Sequence, residues 1–139
     1  MLRSQWERVQ PKLNERFDPS ELDRLKSVIN YITLEKRSFA ILDPHNYARY
    51  AGKVLGINIK ISAFKDFWNR FHRWLEIYND RLSKEFVNND KVLFNLVNEP
   101  HTMPTETWRD AANGAIDAIR KNGAKQLILV PGNSEFKVK

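Results

Sequence analysis

The chain has 139 residues, 42% of them hydrophobic, no cysteine and a formal net charge of +6. Its size and apolar content suit one globular domain over residues 1–139, and the lack of cysteine excludes a disulfide scaffold or a thiolate zinc site while leaving the compartment undecided. Neither a membrane nor a nucleic acid is an expected partner: no run approaches the ~20 apolar residues of a membrane span, and the basic residues are interleaved with acidic ones, the densest stretch holding only Lys121 and Lys125.

The opening Met1-Leu2-Arg3-Ser4-Gln5-Trp6 has neither an apolar signal core nor a strand pattern and reads as a vestigial segment. Asp18-Pro19-Ser20-Glu21 then predicts a helix, with Asp18 accepting from first-turn amides, Pro19 at the first helical position and Glu21 closing a capping box. Leu22, Leu25, Val28, Ile29 and Ile32 share one face of it, and it should end near Glu35-Lys36. Phe39-Ala40-Ile41-Leu42 is a short strand stopped by Asp43-Pro44.

Ser62 is placed to cap a long helix whose apolar stripe runs from Phe64, Phe67 and Trp68 through Phe71, Trp74, Leu75 and Tyr78 to Leu82 and Phe86, a packing pattern. His72, among Arg70, Arg73 and Glu76, belongs on its solvated face. The run Val92-Leu93-Phe94-Asn95-Leu96-Val97 reads as a strand buried on both sides, as in a parallel sheet. A further helix starts at Thr102 or Thr105, turns Trp108, Ala111, Ala115 and Ile119 inward and stops at Asn122-Gly123, where positive φ is tolerated. Leu127-Ile128-Leu129-Val130 is the last strand, closed by Pro131-Gly132-Asn133.

Helices alternating with strands predict an α/β fold with a parallel sheet, and right-handed crossovers bring the three strand ends onto one rim. That rim collects Asp43, His45, Asn46, Asn98, Glu99, His101 and Asn133, with Tyr47, Tyr50 and Trp108 nearby. Glu99 is a carboxylate where a buried strand meets solvent, a position suited to acid/base catalysis. Hydroxyl-matching polar groups beside flat aromatic faces suit a sugar. Plainer roles compete: Asp43, before a proline, suits bracing of the strand-end loop, His45 could satisfy loop carbonyls, and His101 and Asn133 divide between loop architecture and site lining. The spacing of His45, His72 and His101 suggests no metal, and no cofactor motif is present.

Leu42-Asp43-Pro44-His45-Asn46-Tyr47-Ala48-Arg49-Tyr50, Asn98-Glu99-Pro100-His101-Thr102-Met103-Pro104-Thr105, Ala115-Ile116-Asp117-Ala118-Ile119-Arg120 and Leu129-Val130-Pro131-Gly132-Asn133, in that order, resemble successive signatures of glycoside hydrolase family 5, and more closely its secreted endo-β-1,4-glucanases. The likeness includes Trp6-Glu7-Arg8-Val9-Gln10-Pro11. It implies an incomplete (β/α) TIM-type barrel of about three to four βα units, the middle of an eight-unit fold. It also implies that Glu99 is the general acid/base, that Asn98 bonds the sugar 2-hydroxyl, and that His45 meets substrate; Asn46, His101 and Asn133 are candidate substrate contacts from their place on the rim. The family's retaining mechanism needs no metal and uses a second Glu roughly 5 Å away as nucleophile.

Several family features have no match in this sequence. The second Glu, an aromatic-histidine pair and a platform tryptophan have no counterpart after Asn133, and the family's second-strand arginine falls at Met1. Asp43 and Glu135 are the remaining carboxylates near strand ends. Lys36-Arg37 replaces a glycine after the first helix, so a left-handed cap there carries a penalty. Residues 71–81 resemble an insertion that lengthens the long helix. Open strand edges call for cover, either from a second copy pairing two part-barrels or from the long helix lying over an open three-layer sandwich. The expected function is endoglucanase-like hydrolysis of a β-1,4-glucan or cello-oligosaccharide; the sequence leaves the location open, and the resemblance implies an extracellular one. The alternative is a non-catalytic fragment that retains part of a glucan-binding surface.

Overall fold

A computed structural model of the chain describes residues 1–68 and 82–134. Four parallel strands, β1 (Leu2–Ser4), β2 (Ala40–Pro44), β5 (Val92–Asn95) and β6 (Ile128–Leu129), form a sheet in the order β1-β2-β5-β6. A two-stranded antiparallel ribbon, β3 (Arg49–Tyr50) with β4 (Lys53–Val54), lies in the loop after β2. The helices are α1 (Trp6–Val9), α2 (Pro19–Asn30), α3 (Ile61–Trp68), α4 (Leu82–Glu85) and α5 (Thr105–Lys121).

The opening segment is not vestigial. Leu2, Arg3 and Ser4 pair in register with Leu42, Asp43 and Pro44, so β1 exists because β2 offers it a hydrogen-bonding edge. Three residues are too few for an alternating pattern to show in the sequence. The strands are also shorter than the apolar runs suggest: β2 begins at Ala40, β5 ends at Asn95, and β6 keeps only Ile128 and Leu129.

Helix α2 starts as its residues dictate, with the Asp18 carboxylate accepting from the Glu21 amide at 2.9 Å. The reciprocal half of the capping box is missing because the Asp18 amide already donates to the Val9 carbonyl, at 2.8 Å. Glu21 pairs instead with Arg8, at 2.8 Å. The helix continues through a π-helical turn over Tyr31–Glu35, and Arg37 then takes the left-handed conformation (φ 53°) at the site of the expected penalty. In α5 the stop is Gly123 at φ 83°, as the Asn-Gly pair requires. Its first helical residue is Thr105, after an N-cap Pro104 that offers no side-chain bond. Ser62 is likewise no cap, since α3 begins one residue earlier at Ile61. Phe71, His72, Trp74, Leu75 and Tyr78, and with them the predicted insertion, lie outside the described residues.

Register decides where the core sits. Ala40 pairs with Val92 and Leu42 with Phe94, and these side chains point toward the helices and are buried. There Phe94 meets Trp68 of α3 edge-on, ring centroids 5.7 Å apart, and Trp6 packs against Phe67 at 5.0 Å. Burying such rings contributes roughly 2–3 kcal/mol each. The alternate residues, Ile41 and Leu93, face the other side and are only partly buried. On or beside that face Phe39 is 69%, Leu127 60% and Val130 49% exposed. Helix α3 packs against α5 on the helix-covered side of the sheet, and on the other side the strand ends are still buried, Asp43 fully and Asn95 nearly so.

Candidate active site

The carboxyl ends of β2, β5 and β6 share one rim, as expected. After β5 the chain crosses toward β2, where the Asn98 amide donates to the Pro44 carbonyl at 3.0 Å, and toward the end of β6, where residues 100–102 bridge to Ser134. Between these two anchors Glu99 is exposed and takes φ +36°. Left-handed backbone on a non-glycine residue costs roughly 1–2 kcal/mol. Tyr47, Ala48 and Thr102, all in rim loops, also have φ of 57°, so much of the positive-φ backbone is concentrated where the strands end. Among the described residues the Glu99 carboxylate has no hydrogen-bond or ion-pair partner, which leaves it free to meet a ligand.

His45 follows the end of β2, the neighbouring strand, next to Pro44, whose carbonyl accepts from the Asn98 amide. Its backbone N–H donates to the Ser4 carbonyl at 2.7 Å, and its ring Nδ1 lies 3.0 Å from Asp43 Oδ2. Asp43 is fully buried, and its Oδ1 accepts from Asn95 Nδ2 at 2.6 Å. It braces the loop as anticipated, although its partners are two side chains and not turn amides. Being committed to both, it is poorly placed to serve as the second carboxylate; Glu135 lies outside the described residues.

Tyr47 sits between two imidazoles, its ring centroid 5.6 Å from that of His45 and 5.5 Å from that of His101. The Arg49 guanidinium locks this arrangement, with Nη1 donating to the Tyr47 carbonyl at 2.9 Å and its two Nη atoms each 3.2 Å from a ring nitrogen of His101. His45, Tyr47 and His101 therefore form one continuous strip of rings along the rim, with His101 two residues after Glu99 in the chain.

Other predicted contacts are placed differently. Asn46 is buried, and its amide nitrogen donates to the Arg49 carbonyl and holds the loop, while its Oδ1 has no hydrogen-bond partner. Asn133 donates to the Met103 carbonyl at 3.0 Å, which ties the β6 end to the segment after Glu99. Tyr50 and Trp108 are core residues. The Tyr50 hydroxyl donates to the Gln10 carbonyl and the Trp108 indole to the Pro131 carbonyl, each at 2.7 Å. Burial, reinforced by Glu7 and Glu15, pushes the Tyr50 phenol above its usual pKa.

Two residues escaped the sequence reading, Asn95 and Arg49. Asn95 carried a usable signal: an amide inside an otherwise apolar strand must find a partner when buried. A cavity of about 390 Å³ beside β1 reaches His45, and one of about 510 Å³ lies at the opposite end by Arg37 and Lys91; neither is lined by Glu99.

This geometry agrees with what is found in known proteins. A model of the cellulase family (glycosyl hydrolase family 5) matches residues 2–135. "Endoglucanase 1" of Robillarda sp. (strain Y-20) is 37% identical over 135 residues, 88% of this chain and 32% of that protein. The structure of XacCel5A in complex with cellopentaose superposes with a TM-score of 0.85 at 40% identity, over 96% of this chain and 39% of the other. The endo-beta-1,4-glucanase Xac0029 from Xanthomonas axonopodis pv. citri gives 0.84 at 36% identity, over 95% and 38%. The chain thus spans about a third of the length of the curated relatives it matches. With a family model matched over nearly the whole chain and solved structures superposing on its parallel βα order, this polypeptide has the fold of part of a (β/α) barrel and belongs to glycosyl hydrolase family 5, the cellulases.

Proposed function

We propose that the chain is a single domain carrying the acid/base side of an endo-β-1,4-glucanase site. The carrying observation is Glu99: an exposed, unpartnered carboxylate on strained backbone at the end of β5, next to Asn98. In its protonated form Glu99 donates to the glycosidic oxygen as the bond to the leaving sugar breaks. As a carboxylate it then takes a proton from the water that resolves the intermediate. Asn98 bonds the 2-hydroxyl of the reacting sugar, and the strip His45–Tyr47–His101 receives the chain on either side. The name of the Robillarda relative and the cellopentaose held by XacCel5A support a cello-oligosaccharide or a β-1,4-glucan as ligand. A polymer of that kind stays outside cells, so the same proposal carries extracellular action.

A second reading has an observation of its own. Asp43, a rim carboxylate among the described residues, is committed to Asn95 and His45, which favours a partial glucan-binding surface without turnover. Hydrolysis of a soluble cellulose derivative separates the two. Glu99→Gln is expected to lower the parent rate by about 100-fold or more. Equal rates for parent and variant would remove Glu99 from the chemistry. An inactive parent that still binds cellopentaose, with binding lost in His45→Ala, selects the binding surface.

A further inference from the structure

We infer that Asp43, itself fixed by Asn95, is a positioning residue that holds neutral His45 as the Nδ1–H tautomer, so that Nε2 is presented at the rim as a hydrogen-bond acceptor. The proposal rests on the glucanase assignment only for the identity of the ligand that meets Nε2.

The chain of contacts runs inward from the rim. Asp43 and Asn95 are neighbours across the β2–β5 pairing, one step beyond Leu42 and Phe94, and both point away from the helices. Asn95 Nδ2 donates twice, to Asp43 Oδ1 at 2.6 Å and to the Val97 carbonyl at 3.0 Å. That pair of acceptors fixes the orientation of the amide, because the flipped amide would aim its oxygen at two oxygens. Asp43 Oδ1 is therefore occupied as an acceptor, and Oδ2 faces His45 Nδ1 at 3.0 Å. A proton shared between a carboxylate and an imidazole resides on the imidazole, the stronger base, so Nδ1 is the donor and Nε2 keeps its lone pair. The ring is also pinned by its backbone bond to Ser4 and by Tyr47, yet 22% of the side chain stays exposed. A histidine held only by loop packing would have no preferred tautomer from its surroundings. Here a fully buried carboxylate selects one. The consequence for a sugar is directional: the hydroxyl that meets His45 donates to it, leaving that hydroxyl's oxygen free to accept from another group.

Long-range ¹H–¹⁵N NMR of the histidine rings in the full chain, at a pH of about 9 where imidazole is neutral, reads the tautomer directly. His45→Ala assigns the signals. The expected result is a protonated Nδ1 and an unprotonated Nε2 in the parent. A free-histidine-like mixture, or Nε2–H, would overturn the proposal without any need for activity. In Asp43→Asn one side of the group must become a donor, and His45 is expected to shift toward Nε2–H. An unchanged tautomer in a folded variant also overturns it. Should that variant not fold, the parent spectrum alone decides. Added cellopentaose should perturb the Nε2 signal. If the sugar binds and Nε2 does not respond, the acceptor role falls; if no sugar binds, the glucanase assignment fails while the tautomer result stands.

Discussion

Glu99 and Tyr50 are opposite outcomes for polar side chains near the same rim. Glu99 ends an apolar strand and is left in solvent, and the strand-end rule located it without coordinates. Tyr50, three residues from the equally rim-bound Tyr47, turns into the core and packs edge-on against Trp6 with centroids 5.3 Å apart. Nothing in the spacing of the two tyrosines distinguishes them, because the turn at Tyr47 and Ala48 depends on positive φ at two non-glycine residues. Tyr50→Phe removes the donor to the Gln10 carbonyl and is expected to cost about 1–3 kcal/mol in urea unfolding. The pH dependence has a definite sign. The folded phenol holds its proton more tightly than the unfolded one, so above about pH 10 the unfolded state is favoured by ionisation and Tyr50's stabilisation declines. The difference in stability between parent and Tyr50→Phe should therefore be full at neutral pH and shrink as pH rises past that value. A gap that widens there would contradict burial as the cause.

Among the elements, helices were the most legible. The start of α2 and the end of α5 follow from Asp18 and Gly123, residues whose local chemistry acts before any tertiary contact. Asp18→Ala should lower stability by about 1 kcal/mol, read as a shift in the denaturation midpoint at constant slope. Strands were less legible, and the reason is physical: a strand of two or three residues exists through its partner. β1 is defined by β2, and β6 by the two carbonyls of Leu127 and Leu129 that accept from Phe94 and Leu96. The connection from β4 to α3 was invisible in sequence for a similar reason. Gly56 sits at φ +77°, and a methyl group there would lie 2.1 Å from Thr107 Cγ2 of α5. Gly56→Ala is expected to destabilise by roughly 2 kcal/mol or more, combining left-handed backbone with overpacking. Adding Thr107→Ala should restore the packing share alone. Full recovery in the double variant would mean that the backbone conformation costs nothing.

For the whole molecule, the decisive feature is a sheet packed by helices on one side and only partly covered on the other. Phe39 and Leu127 are exposed apolar side chains, Ile41 and Leu93 are only partly buried, and the outer edges of β1 and β6 have no strand beside them among the described residues. Such surfaces drive association. The chain is expected to bind a hydrophobic dye and to sediment with a concentration-dependent mass, with both effects reduced in Leu127→Lys and Phe39→Lys. A stable monomer that binds no dye would rule out pairing through this face.

The sequence alone determined the class of fold, the direction of the βα units, the caps of two helices and the position of Glu99, Asn98 and His45 at strand ends. All of these follow from local propensity and from the periodicity with which apolar residues repeat. The tertiary structure decided the rest: that Asn95 and Asp43 meet, that Asn46 turns into its loop and Tyr50 into the core, that Arg49 seats His101, and that Ile41 and Leu93 stay only partly covered. Each of these depends on register between segments distant in sequence. A shift of one residue reverses which side chains share a face, and no local pattern encodes that choice.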